Sequence, residues 1–267
     1  MKTGLVLSGG GFRGIAHIGV IKALEENNIY PSYIAGTSAG AIVGALYANG
    51  CCWEDMLAFF KKLEIFSFNK YAINKPGFIN TEKFYKSFKT YLPFDDFKTL
   101  DKILYITATD LLNGTLKVFS EGELIMPLLA SAAFPGVFTP VKIGNSYYID
   151  GGTLNNFPVD IIAKHCNQII GVYVNHFENI ENSNLKNSYD ILDRALKIKN
   201  AQESSLKFKA CDLLIAPKGL DNYNTFYFRN TSEIFNLGYR ETIKVLQSEK
   251  GIQFLNTNNS VKQKSIV

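Results

Sequence analysis

Short apolar runs take turns along this chain with stretches in which apolar residues stand three or four apart. Gly4-Leu5-Val6-Leu7 is a run of the first kind and reads as a short buried strand. After a glycine-rich turn from Gly9 to Gly14, apolar residues at Ile15, Ile18, Ile21 and Leu24 line one face of a helix. Asn27-Asn28 ends that helix and Pro31 prevents its resumption. Tyr33-Ile34-Ala35 predicts a second strand, followed by Gly36-Thr37-Ser38-Ala39-Gly40 and a helix rich in small residues (Ala41, Gly44, Ala45, Ala48). Small side chains there let the helix axis lie close to a sheet. Further strands are expected at residues 103–108, 117–119, 169–174 and 212–215, and helices at about 189–209 and 233–247. Such alternation predicts an α/β layered domain with a mainly parallel sheet.

Between about 53 and 100 the pattern changes. Trp53, Met56, Leu57, Phe60 and Leu63 keep helical spacing, and Phe66, Phe68, Tyr71, Phe78, Phe84, Tyr85, Phe88, Tyr91, Phe94 and Phe97 continue an aromatic-rich stretch between lysines. This is expected to be a helical insertion with two readings: a satellite core, or an apolar wall or lid for an acyl chain. After Gly251 the chain turns polar (Asn256, Asn258, Asn259, Lys262, Lys264), and residues 251–267 are expected to fray behind a single domain over 1–250.

Composition narrows the classes. Of 267 residues 46% are apolar and 19% charged, enough to bury a core and too apolar for a disordered chain. Lys and Arg number 28 against 24 Asp and Glu, and the net charge of +4 is spread rather than clustered, which argues against a nucleic-acid partner. No apolar run approaches the roughly 20 residues of a membrane span, and the first residues lack a signal-peptide pattern. Cys51 and Cys52 are adjacent while Cys166 and Cys211 stand alone, with no metal-type spacing, as in a reduced cytoplasmic protein.

The chemistry starts at Gly36-Thr37-Ser38-Ala39-Gly40. A G-x-S-x-G turn between strand and helix exposes its serine at a sharp corner, with Gly36 and Gly40 where side chains would clash. Ser38 would stand at a helix N-terminus, where free N–H groups favour developing negative charge. Gly9, Gly11 and Gly14 formally satisfy G-x-G-x-x-G, yet Ala35-Gly36-Thr37-Ser38 occupies the place of the ribose-binding acid, and Ile15-Ala16 stand where a P-loop needs Lys and Ser/Thr. Nucleotide binding is therefore disfavoured. What remains is a loop of backbone donors suited to an oxyanion, beside the serine on the neighbouring strand. A serine nucleophile also needs a base. His17 reads as a helix-positioning residue, His165 and His176 can each complete a Ser…Asp…His order, and Asp150 in Tyr148-Ile149-Asp150-Gly151-Gly152 can act directly on Ser38 if burial raises its pKa.

Taken together, Gly9-Gly10-Gly11-Phe12-Arg13-Gly14, Gly36-Thr37-Ser38-Ala39-Gly40 and Asp150-Gly151-Gly152 closely resemble the patatin-like phospholipase family, in particular its short bacterial members. The likeness extends to Ala108-Thr109-Asp110-Leu111 with Gly114, to the segment from Ala130 to Pro140, and to Asn155-Asn156-Phe157-Pro158-Val159-Asp160. It implies a three-layer α/β/α sandwich with a Ser38–Asp150 dyad, an acyl-enzyme intermediate, and oxyanion donors near Gly10, Gly11 and Ala39, with no metal or other cofactor. Arg13 matches the family's basic loop position, as a brace for the loop or a contact for lipid phosphate. The implied substrates are phospholipids or other acyl-ester lipids, met through transient contact with a membrane surface by a cytoplasmic enzyme. Acyl transfer through the same serine and non-catalytic lipid binding are the alternatives, and a homodimer is as compatible with the pattern as a monomer. His165-Cys166-Asn167 and the aromatic insertion depart from the family pattern and leave acyl-chain and headgroup preference open.

Overall fold

The computed structural model describes residues 2–63, 76–176, 188–223 and 230–264. Its centre is the sheet that the alternating pattern requires. Strands β1 (Thr3–Leu7), β2 (Tyr33–Thr37), β3 (Ile103–Asp110), β7 (Gln168–Val172) and β8 (Leu213–Ile215) run parallel in the order β3-β2-β1-β7-β8. An antiparallel extension continues beyond β3 through β6 (Ser146–Asp150) and β5 (Val141–Ile143), and β4 (Thr115–Phe119) also pairs antiparallel with β3.

Alternation along β1 sends Leu5 and Leu7 to one face and Val6 to the other, so the strand is buried on both sides, as a central parallel strand must be. On the first face lie α1 (Ile15–Glu26), α2 (Ala39–Ala48), α3 (Trp53–Lys62), α4 (Tyr85–Tyr91), α5 (Ile125–Ser131) and α8 (Thr231–Leu246). The second face is covered by α6 (Val159–Ile162), with Phe157, Tyr173 and Phe208 packed edge to face around it. The fold is thus the expected three-layer α/β/α sandwich. Helix α7 (Ser188–Lys207) runs outside the sheet, beside the loop that follows β6.

Helices α1 and α8 cross with backbones almost touching. A Cβ on Gly19 would lie 2.1 Å from Phe235 O, and one on Gly238 would lie 2.0 Å from Ala16 O. Only glycine fits at that crossing.

Two expectations need adjustment. The stretch after Gly251 does not fray at once but belongs to α9 (Glu249–Lys264). Gly251 is seated against the α8 C-terminus and buried Phe254 joins the core, so two inward residues three apart outweigh a polar sequence. The aromatic insertion is helical, but part of it, including Phe66, Phe68 and Tyr71, lies outside the described residues. No helix among the described residues is long and apolar enough to cross a membrane.

Candidate active site

Ser38 is the single residue between β2 and α2, with φ 54° and ψ −123°, a conformation strained for any residue with a Cβ. Such strain costs of order 1–3 kcal/mol and persists only where neighbours over-determine it. Here they do. The Ser38 N–H donates to Ser131 Oγ at 2.8 Å, while Thr37 Oγ1 donates to Asn155 O at 2.9 Å and lies 2.6 Å from Thr107 Oγ1. A Cβ on Gly36 would lie 2.6 Å from Ala41 Cα, and one on Gly40 would lie 2.2 Å from Leu7 O, so both flanking glycines are steric necessities.

The glycine loop is pinned on several sides. Gly9 N–H donates to Asn156 O at 3.2 Å, Arg13 Nε donates to Gly10 O at 3.2 Å, and the Asn175 amide donates to Gly9 O. Arg13 is buried and braces the loop, and it also lines the cavity in front of it. Gly11 opens a short 3-10 turn (Gly11–Gly14), so the first N–H groups of that turn have no partner within it. Gly10 and Gly11 line the cavity beside Ser38, and Gly14 packs directly against Ala39 at the start of α2.

Asp150 arrives from the far side of β3, where it pairs with Ala108. Its N–H donates to Ala133 O at 3.0 Å and its O accepts from Thr109 Oγ1 at 3.0 Å, which fixes the backbone. Oδ1 accepts from Gly152 N–H at 2.7 Å, and Gly151 sits flush against Thr107. Burial pushes the Asp150 pKa from 3.8 up to about 6, against the opposing pull of the Ser38 hydroxyl and the Gly152 N–H. The structure therefore brings Ser38 and Asp150 into contact, although 112 residues separate them.

The histidines take other places. His165 stacks between Tyr33 and Tyr105 at 6.1 and 6.0 Å. Tyr33 begins β2 and Ser38 follows its end, so at ~3.3 Å per residue the sheet keeps the two roughly 15 Å apart. His176 follows cleft-lining Asn175 but lines neither cavity beside Ser38. His17 is fully buried, with Nε2 2.9 Å from Ser8 O, and burial lowers its pKa from 6.5 to about 4. It thus positions the helix and the glycine loop, as its phase suggests.

A buried neutral imidazole makes an acid-labile prop. A depressed folded pKa contributes stability that is fully present above 6.5 and lost as pH falls through about 4, here about 3 kcal/mol. Measured by denaturant unfolding, the stability of the native chain relative to a His17→Gln variant should fall by about 3 kcal/mol from pH 7 to pH 4, a difference from which the opposite change at Asp150, common to both chains, cancels.

Two cavities meet at Ser38. One, of about 670 Å³, is apolar and lined by Ile42, Phe60, Phe84, Phe88, Leu129 and Phe138 among others. Within the aromatic insertion Met56 and Phe59 join the core, while Phe60, Phe84 and Phe88 also line this cavity. The other, of about 500 Å³, has the more polar residues around it, Asp150, Arg13, Asn156, Asn175, Asp193, Lys197 and Asn200 among them. Ser38, Gly11 and Phe134 line both. Ser131, Asn175 and the α7 residues carried no site signal of their own in the sequence.

A family model for patatin-like phospholipases matches residues 5–163. Lysophospholipase NTE1 of Scheffersomyces stipitis is 27% identical over 278 residues, which cover 92% of this chain and 18% of that protein. An uncharacterized NTE family protein of Mycobacterium tuberculosis is 34% identical over 167 residues, 61% of this chain and 46% of that one. The chain thus spans less than half the length of these curated relatives. Among solved structures, VipD from Legionella pneumophila has a TM-score of 0.58 at 16% identity, covering 92% of this chain and 66% of that one. The type III effector ExoU has a TM-score of 0.52 at 16% identity, covering 93% and 53%. These two likenesses concern the fold, while the family match spans both glycine turns and Asp150: the chain belongs to the patatin-like phospholipase family.

Proposed function

We propose that the chain is a serine acyl hydrolase for lipid acyl esters, working through a Ser38–Asp150 dyad. The observation that carries this reading is the contact of Ser38 with buried Asp150 at the meeting point of an apolar and a polar cavity. In the first half-reaction Ser38 Oγ bonds to the ester carbonyl carbon as its proton passes to the Asp150 carboxylate. N–H groups of Gly10, Gly11 and Ala39 receive the oxyanion. Collapse expels the alcohol, which takes the proton back from Asp150, and leaves an acyl-Ser38 ester. Water then adds to that carbonyl, losing a proton to Asp150, and collapse returns that proton to Ser38 Oγ and releases the fatty acid.

A pKa near 6 suits both duties, since the carboxylate is mostly ionised at pH 7 and its acid form gives up a proton readily. The apolar cavity takes the acyl chain. Lysophospholipids are among the acyl esters that fit this arrangement, in keeping with the lysophospholipase name of the fungal relatives. Such lipids reside in bilayers, so transient contact with a membrane surface belongs to the proposal.

A panel of diacyl and monoacyl lipids with mass-spectrometric identification of products tests it, run beside labelling by a fluorophosphonate. Fatty acid should be released, and the label should sit on Ser38. Ester product formed with an added alcohol in place of free fatty acid would turn the reading to acyl transfer. No release from any lipid and no labelling would overturn it.

A further inference from the structure

We propose that the outward face of α7, an apolar stripe of Ile191, Ala195, Ile198 and Leu206, is the surface on which the chain docks to a lipid bilayer, with Leu192 and Phe78 at its edge toward the cleft. The purpose of such docking rests on the hydrolase reading above.

Helix α7 is amphipathic the wrong way round. Asp193, Lys197, Asn200 and Ser204, spaced i, i+4, i+7 and i+11, share one face; the first three line the cavity beside Ser38, and Ser204 is buried. The opposite face carries Ile191, Ala195, Ile198, Gln202 and Leu206, all exposed, with Ile191 at 59% and Ile198 at 42%. A surface helix ordinarily turns its apolar stripe to the core and its polar residues to water. Apolar side chains gathered on one exposed face mark a surface that something apolar covers.

The helix is also held in this orientation. Lys199 Nζ donates to Thr153 O at 2.8 Å, and Lys207 Nζ donates to Asn155 Oδ1 and Asp160 Oδ1, both at 2.8 Å. These lysines tie α7 to the segment that follows Asp150, and rolling the stripe inward would break each tie.

Its position next to the cleft identifies the occupant. Phe134 and Pro135 line the cavity beside Ser38, and a Cβ on the next residue, Gly136, would already touch Leu192 Cδ2 at 3.4 Å. The Phe78 N–H donates to Val137 O at 3.0 Å, and Phe78 is 71% exposed. Exposed apolar side chains from two separate parts of the chain thus adjoin the segment from Phe134 to Phe138, whose two end residues line the apolar cavity. A second copy of the chain seated there would stand across the approach to Ser38, whereas a bilayer brings acyl esters to it. An apolar helix face of this kind rests with its side chains sunk into the boundary between headgroups and acyl chains.

The test separates docking from turnover. Vesicles of phosphatidylcholine carrying a minor share of lysophosphatidylcholine are sedimented with the Ser38→Ala chain, and the chain should travel with them. Ile191→Ser together with Ile198→Ser should weaken that partition at least about tenfold, the loss expected when two partly exposed isoleucines no longer enter the acyl boundary. Ile252→Ser, the same change at a 51% exposed residue of α9, should leave it unaltered. Binding should survive a rise from about 0.1 to 1 M salt, which screens charge and spares apolar contact. In the chain with Ser38 intact, the double variant should lower about tenfold the ratio of kcat/KM on vesicles to that on a dissolved short-chain ester. Circular dichroism checks that each variant folds. No co-sedimentation, equal partition of the chains with and without the two isoleucines, an equal loss with Ile252→Ser, or release by salt would overturn docking through α7 and leave the hydrolase standing. A concentration-dependent dimer that the double variant abolishes, with no vesicle binding, would give the face to a second copy and overturn the proposal. Absence of Ser38-dependent hydrolysis on every ester would overturn the hydrolase, while sedimentation would still read the docking face.

Discussion

Ester hydrolysis by the Ser38→Ala chain should fall at least about 10³-fold, with labelling by a fluorophosphonate abolished. The magnitude follows from the role, since without the hydroxyl there is no acyl-enzyme and the two-step route is closed. Whatever turnover remains is water attack aided by the backbone donors of the glycine loop, which the substitution leaves in place. Ser38→Ala keeps the backbone N–H bonded to Ser131 Oγ and the same φ, so the elbow and its strain persist. The variant should therefore melt close to the native chain while losing nearly all activity. Residual hydrolysis within tenfold of native on a short-chain ester would place the nucleophile elsewhere.

Asp150→Asn should lose turnover on a similar scale, because an amide cannot take the Ser38 proton, yet gain stability in neutral solution. The sign follows from the direction of the shift. The folded pKa is raised, so the stability tied to a neutral carboxyl is fully present below 3.8 and lost as pH rises through about 6. Asparagine stays neutral throughout and still accepts from Gly152 N–H. Its advantage over the native chain should be near zero at pH 3.5 and about 3 kcal/mol at pH 8, measured by denaturant unfolding at both. In native enzyme the same ionisation switches the base on, so kcat/KM should rise with pH along a limb centred near 6. An unstabilised Asp150→Asn chain at pH 8, or a flat profile from pH 5 to 7, would remove Asp150 from the proposed role.

The glycine turns were legible because their requirements are local: Gly36 and Gly40 answer to backbone atoms that approach within 3 Å, and the residue types record that. What supports them is not local. Ser131 reaches the Ser38 N–H across 93 residues and Asn155 reaches Thr37 across 118, contacts that no periodicity marks. Helix α5 is short and almost wholly buried, so it has no polar face to show a helical period, whereas α9 has little but polar residues. Both escape a reading that depends on alternation between apolar and polar positions. Lys197 is hidden for a related reason. The pattern of α7 tells that it is a helix, but which residues look into the cleft depends on the lysines that tie it to the segment after Asp150.

The placement of Ser38 on the shared border of two unlike cavities also sets the order in which things leave. On the hydrolase reading the alcohol, polar and freed first, departs through the polar side and opens the path by which water reaches the acyl-enzyme. The fatty acid is born with its tail already enclosed among Phe60, Phe84 and Phe88, and must withdraw from that lining before the next turnover. Entrance for one reactant is therefore the exit of another, and the slowest traffic falls on the side whose lining is almost wholly apolar.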